Sequence, residues 1–226
     1  MRYKVAIFDL DNCLLDARSV GTLFEPAFEA IRHANQGALA PDVLEQAIGQ
    51  CWYTAFDLVA ERFGFTDAMR DAGLQQFRRM RVTGALQGYP DIALLPRVAM
   101  RRYLVTSGFR CLQESKIAAL GIRSWFDHVF IDDVDEAMDA PAHSRGKLAV
   151  FRRILELEAC QACEVLVIGD NPLSELGAGR ALGATTVQTV RPGVAAWDLA
   201  DHRVSGLGEL LELLSHNGVA AQPSPA

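Results

Sequence analysis

Two aspartates stand two residues apart where the first apolar run of the chain ends, in Phe8-Asp9-Leu10-Asp11-Asn12. Side chains at i and i+2 of an extended chain point the same way, so Asp9 and Asp11 converge as the chain leaves a strand. Two carboxylates about 4 Å apart repel by roughly 4 kcal/mol at an intermediate effective dielectric. A cation relieves that repulsion, which makes the pair a candidate metal site. Read alone, the pair is equally well explained as turn residues, because Asp is common where a chain reverses.

Three later places carry complementary chemistry. Val105-Thr106-Ser107-Gly108 ends another apolar run and leads directly into a helical pattern. Thr106 and Ser107 offer hydroxyls there, and the backbone N–H groups of a helix start suit a phosphate group. An ordinary helix cap is the competing reading. In Arg145-Gly146-Lys147, ahead of a second helical pattern, Lys147 offers a cation, against the usual fate of a lysine in solvent. Asp170 follows the strongly apolar run of Val165-Leu166-Val167-Ile168-Gly169, and Glu175 lies five residues on. A hard divalent ion such as Mg²⁺ takes oxygen ligands of this kind, whereas a turn Asp and a helix-start Glu are the plainer account.

The elements that must position these groups follow from hydrophobic patterning. Short, nearly continuous apolar runs at 3–8, 102–106, 128–131 and 164–169, with a weaker one at 185–188, read as strands buried on both faces. Helical spacing lies between them: Leu112, Ile117 and Leu120 over 109–120; Leu148, Phe151, Ile154 and Leu155 over 147–157; and a short piece over 173–182. Alternating strands and helices imply right-handed crossovers and an α/β fold with a doubly wound parallel sheet. Between the first strand and the rest only helical patterns occur, with stripes such as Leu23, Phe24, Phe28 and Ile31, or Val43, Leu44, Ala47 and Ile48. The expected organisation is therefore an α/β core of 1–16 and 90–214, a helical insert over 17–89, and a flexible tail over 215–226.

Acid pair, hydroxyl, cation and acid then fall in that order at the strand ends of one sheet. In that order and placement the chain resembles the haloacid dehalogenase-like superfamily over nearly its whole length. FDLDNCLLD is similar to the family's first motif, LVTSG to the second, RGKLAVF to the third and VIGDNPLSE to the fourth. The helical insert resembles a C1-type cap. The resemblance implies Asp9 as nucleophile, Asp11 as general acid/base, and Thr106, Ser107 and Lys147 as phosphate ligands. It also implies Mg²⁺ held by Asp9, Asp11 (through its backbone carbonyl) and Asp170, with Glu175 reaching a metal-bound water. The implied activity is hydrolysis of a small phosphorylated metabolite through an aspartyl-phosphate. A phosphomutase shares this machinery and is the alternative; a non-catalytic phosphate- or partner-binding protein is a further one. A dehalogenase lacks the second motif-one Asp, which is present here.

The chain departs from the family pattern in three places. Asn12-Cys13 replace the Gly-Thr of DxDGT, Glu175 stands where Asp is common, and KPxP is absent from motif three. The last departure leaves Arg145 as an alternative to Lys147.

Bulk properties exclude other classes. The chain has 22 Lys plus Arg against 28 Asp plus Glu, a formal net charge of −6, so it has no general attraction for nucleic acid or an acidic membrane. No apolar run reaches the roughly 18 residues of a membrane span, and the N-terminus has no signal-peptide pattern, so the expected location is the cytoplasm. The five cysteines are irregularly spaced; Cys160 and Cys163 form a lone CxxC, better read as two reduced thiols than as a zinc or redox site. A dinucleotide-binding fold needs a glycine-rich first turn, and Asp9-Leu10-Asp11-Asn12-Cys13 contains no glycine.

Overall fold

The computed structural model describes residues 3–134 and 146–216. Six parallel strands form one sheet: β1 (Val5–Phe8), β2 (Arg101–Gly108), β3 (His128–Asp133), β4 (Val165–Gly169), β5 (Thr185–Thr189) and β6 (His202–Val204). Their order is β3-β2-β1-β4-β5-β6. The chain runs outward from β1 to β3 on one side, then returns to the centre and continues from β4 on the other. That reversal makes a topological switch point between β1 and β4, where open α/β sheets bind ligands beyond the strand carboxyl ends. All four residues of β1 and all five of β4 are buried, as strands covered on both faces require.

Register delivers the chemistry to one rim. Phe8 lies level with Leu104 of β2 and with Ile168 of β4. Asp9 therefore leaves the sheet between Thr106 on one side and Asp170 on the other, each within two residues of that level. The helices α5 (Arg110–Leu120), α6 (Gly146–Leu157), α7 (Glu175–Leu182) and α8 (Leu207–His216) cover the sheet. One buried cluster joins Phe8, Leu104, Ile117 and Ile168 with the α8 leucines, and another joins Val5, Tyr103, Phe151, Ile154 and Val167.

Between β1 and β2 lie a 3-10 segment (Ala17–Phe24) and four helices, α1 (Glu25–Asn35), α2 (Pro41–Gln50), α3 (Phe56–Phe63) and α4 (Asp67–Phe77). Their core is aromatic. Phe24 stacks on Trp52 at 4.6 Å and meets Phe28 and Phe77 edge-on. Phe77 in turn stacks on Phe109, just ahead of α5, with centroids 5.4 Å apart. Burying each such ring stabilises the fold by about 1.5–3 kcal/mol, so the aromatic ladder ties the helical insert to the lip of the sheet.

Two features differ from the sequence reading. β6 is a sixth strand, three residues long with an exposed middle position, and so leaves no apolar run to detect. The last helix continues through Ser215 and His216, where the sequence suggests a tail; residues 217–226 of that tail lie outside the described residues, as does Arg145. Among the described residues, no helix is long and apolar enough to cross a membrane.

Candidate active site

A cavity of about 680 Å³ opens at the carboxyl ends of β1, β2 and β4. Its floor carries Asp9, Asp11, Thr106, Ser107, Lys147, Asp170 and Glu175, so the described candidates for catalysis, phosphate binding and metal binding reach one space. Its roof is the helical insert, through Phe24, Trp52, Tyr53 and Phe56. Arg78 and Arg81 of the insert do not line it.

The turn after β1 explains the unusual first motif. Asn12 adopts a left-handed conformation (φ 55°), which Asn tolerates better than most side chains, and so it serves where the family pattern has glycine. Its Oδ1 accepts from the Ala17 N–H at 3.3 Å and braces the turn. Cys13 is fully buried and its Sγ lies 3.9 Å from the Ile168 carbonyl, a weak substitute for a threonine hydroxyl.

Lys147, on the first turn of α6, is buried, and its Nζ donates to Asp9 Oδ1 at 2.6 Å and to Glu175 Oε2 at 2.8 Å. Burial opposes its charge, yet Asp9 and Glu175 outweigh that and raise the ammonium above its ordinary range. The second oxygen of Glu175 accepts from the Asn171 N–H at 2.6 Å. A Cβ on Gly169 would lie 2.3 Å from that Glu175 oxygen, so only glycine lets the carboxylate fold over the end of β4. With both oxygens engaged, Glu175 orients Lys147 and the motif-four loop.

Asp9, Asp170 and Glu175 each bring a carboxylate oxygen within 4.8 Å of the others, a cluster able to hold a divalent metal such as Mg²⁺. Burial, with neighbouring carboxylates, lifts the Asp9 carboxyl to about 7 and that of Asp170 to about 9. Four carboxylates follow β1 and β4 (Asp9, Asp11, Asp170, Glu175) against two ammonium groups in contact with them (Lys116, Lys147), leaving two negative charges when all ionise. A divalent cation matches that remainder, and the hard oxygen donors match Mg²⁺.

Thr106 is buried at the end of β2, and its Oγ1 accepts from Gln113 Nε2 at 2.9 Å. Its own hydroxyl proton is thereby left to donate into the cavity. Ser107 donates its hydroxyl to Asp132 Oδ2 at 2.9 Å, so that hydroxyl braces β3. Asp132 Oδ1 also receives the Gly146 N–H at 3.1 Å, which anchors the start of α6 and hence Lys147.

Four further residues take part without having stood out in the sequence: Gln113, Lys116, Asn171 and Asp132. Lys116 Nζ lies 2.8 and 2.9 Å from the two oxygens of Asp11. Its signal was present, since Lys116 falls four residues after Leu112, inside the buried stripe of α5. Asn171 donates through Nδ2 to the Tyr53 carbonyl at 2.9 Å and joins the insert to motif four. Such a contact across 118 positions leaves no local mark. Cys160 is half-buried and Cys163 exposed; both are free thiols, and neither lines this cavity.

Comparison with known proteins identifies the family and agrees with the fold. The sequence model of the haloacid dehalogenase-like hydrolases matches residues 3–183. No curated protein matches the chain significantly. Among solved structures, the chain is similar to a HAD phosphatase from Thermococcus onnurineus, at 22% identity and a TM-score of 0.60, over 93% of this chain and 97% of that one. It is also similar to the L-2-haloacid dehalogenase from Xanthobacter autotrophicus, at 19% identity and a TM-score of 0.56, over 94% and 98%. A third is the UTR4 protein from Saccharomyces cerevisiae, at 18% identity and a TM-score of 0.56, over 92% and 99%. At these identities the structural likeness speaks to the fold.

Proposed function

Since the chain belongs to the haloacid dehalogenase-like hydrolases, we propose that it is a phosphatase hydrolysing a small phosphate monoester through an aspartyl-phosphate. The observation that carries this reading is Asp11, a second carboxylate in the same cavity as Asp9. A halide leaves without a proton. An alkoxide leaving from phosphorus needs one, and a carboxyl beside the nucleophile supplies it.

Asp9 is the nucleophile. Its free oxygen forms a bond to phosphorus as the ester P–O bond breaks, and Asp11 delivers its proton to the departing oxygen. Asp11 then takes a proton from a water, which attacks phosphorus, releases phosphate and regenerates Asp9. Lys147 and the Thr106 hydroxyl compensate charge on the phosphoryl oxygens. Mg²⁺, held by Asp9, Asp170 and the Asp11 backbone carbonyl, would supply further positive charge to the transferring group.

The helical insert acts as a C1-type cap over 17–89. Its aromatic roof of Phe24, Trp52, Tyr53 and Phe56 meets the leaving group and excludes water during the first step. The Asn171–Tyr53 hydrogen bond is the contact that registers the cap against motif four.

The decisive experiment is phosphate release from a panel of phosphate monoesters in Mg²⁺, comparing the wild type with Asp9→Asn. Release by the wild type alone supports the reading, and the ranking of esters identifies what the cap admits. No release from any ester overturns it.

A further inference from the structure

Asp11 is held by two side chains of α5 for which neither the catalytic scheme nor the family resemblance gives a role. Lys116 is only 3% exposed and grips both Asp11 oxygens, at 2.8 and 2.9 Å. Gln113, 2% exposed and one turn earlier on the same face, donates through Nε2 to Asp11 Oδ2 at 3.1 Å. The same nitrogen lies 2.9 Å from Thr106 Oγ1 and 2.8 Å from the Ser107 carbonyl, so its two hydrogens are shared among three acceptors. One amide thus joins the proposed acid/base to the phosphate-binding end of β2. Acceptors on that side fix the amide orientation, because Oε1 facing a carboxylate and a carbonyl would be repelled.

The seat is built into the backbone. Gly108 has φ 142°, and a Cβ there would lie 3.1 Å from Gln113 Nε2. A side chain at 108 would be strained and would crowd the amide. Burying a lysine on the apolar stripe of a helix is unfavourable unless the charge is paired, so Lys116 has a purpose at its buried end.

We propose that Lys116 and Gln113 are positioning residues for Asp11: they aim its carboxyl at the oxygen leaving from phosphorus and keep it in step with Thr106. This rests on the phosphatase reading above. Asp11 alone would rotate freely about its side-chain bonds, and a proton donor must lie within hydrogen-bond reach of the atom it serves. A three-point hold removes that freedom before the substrate arrives.

The test compares Lys116→Met and Gln113→Leu with the wild type on an aryl ester, p-nitrophenyl phosphate, and on an alkyl ester, glycerol phosphate. The quantity read is kcat/KM, which reports steps up to departure of the leaving group. An aryl oxide departs with little help and an alkoxide needs the proton. The expected result is a loss of about 10²-fold on the alkyl ester and about 3-fold or less on the aryl ester. Equal losses on both esters, or none on either, overturn the proposal. Adding Lys116→Met to an Asp11→Asn background should cost nothing further on the aryl ester; a full additional loss shows that Lys116 acts elsewhere. Should Lys116→Met not fold, Gln113→Leu alone carries the same two outcomes. Crystal structures of the wild type and Lys116→Met decide the matter independently of turnover. Asp11 should turn from its wild-type direction in the variant, and an unmoved Asp11 refutes the idea even if the phosphatase reading itself fails.

Discussion

The ammonium of Lys147 sits 2.6 Å from Asp9 Oδ1, both groups buried, across 138 positions of sequence. The pair leaves one Asp9 oxygen uncommitted, as a carboxylate nucleophile requires. It also makes the charge state of Asp9 depend on a residue from another strand's neighbourhood. Removing one partner of a buried ion pair typically costs about 3–5 kcal/mol. Lys147→Ala is therefore expected to lower the Tm by several degrees and to reduce phosphate release by at least about 10²-fold. Arg145→Ala should leave both close to wild type. A reversed ranking in the same phosphate-release and thermal-melt measurements would make Arg145 the motif-three cation.

Asp9→Asn keeps the shape of the nucleophile and removes its charge. It is expected to abolish phosphate release while circular dichroism and cooperative melting persist. Trapping with acid quench should give phosphorylated protein from the wild type and none from this variant. Phosphoprotein from Asp9→Asn would place the nucleophile elsewhere.

The buried carboxyls make stability depend on pH. Burial raises Asp9 from 3.8 to about 7 and Asp170 from 3.8 to about 9, so the folded chain holds protons that the unfolded chain has released. Their contribution is fully present below the unfolded value and is lost as pH rises through the folded values. The metal-free protein should therefore melt at progressively lower temperature between about pH 5 and about pH 9. Asp170→Asn should flatten that decline. A melting temperature that rises over the same interval in the metal-free wild type would contradict the sign.

Metal binding must displace those protons. Mg²⁺ should raise the Tm more at the alkaline end of the interval than at the acid end, and EDTA should abolish turnover. Full activity after chelation would remove Mg²⁺ from the mechanism.

Gly169→Ala tests the fold of motif four. The added methyl would lie 2.3 Å from Glu175 Oε1, a clash that must displace the carboxylate holding Lys147. A loss of about 1–3 kcal/mol in chemical denaturation is expected, together with reduced phosphate release. Gly208→Ala is the control, because the space around it is open and alanine favours helix. Equal behaviour of the two variants would mean that Glu175 does not need its present seat.

Much of this site can be read along the chain because the groups concerned sit at the ends of apolar strands. β1 and β4 announce themselves as buried runs, and the residues that follow them, Asp9 and Asp170, stand out by contrast. The aromatic stripes of the insert are visible for the same reason, though which rings face the cavity is not: Phe24 and Phe56 are at once core and lining. β6 escaped because three residues with an exposed centre carry no periodicity. Lys116 escaped because a lone lysine is ordinarily solvated, and only its register with Leu112 marked it as buried.

The sequence by itself determined the α/β class, the strand-end position of Asp9, Asp11, Thr106 and Asp170, the helix-start position of Lys147, and the helical nature of the insert, since each follows from local periodicity and residue type. Only the tertiary structure decided the partners: Lys147 with Asp9 and Glu175, Lys116 and Gln113 with Asp11, Asn171 with Tyr53. The physical reason is reach. A hydrogen bond of about 3 Å is set by how strands register and helices pack, and those packing choices bring together residues more than a hundred positions apart.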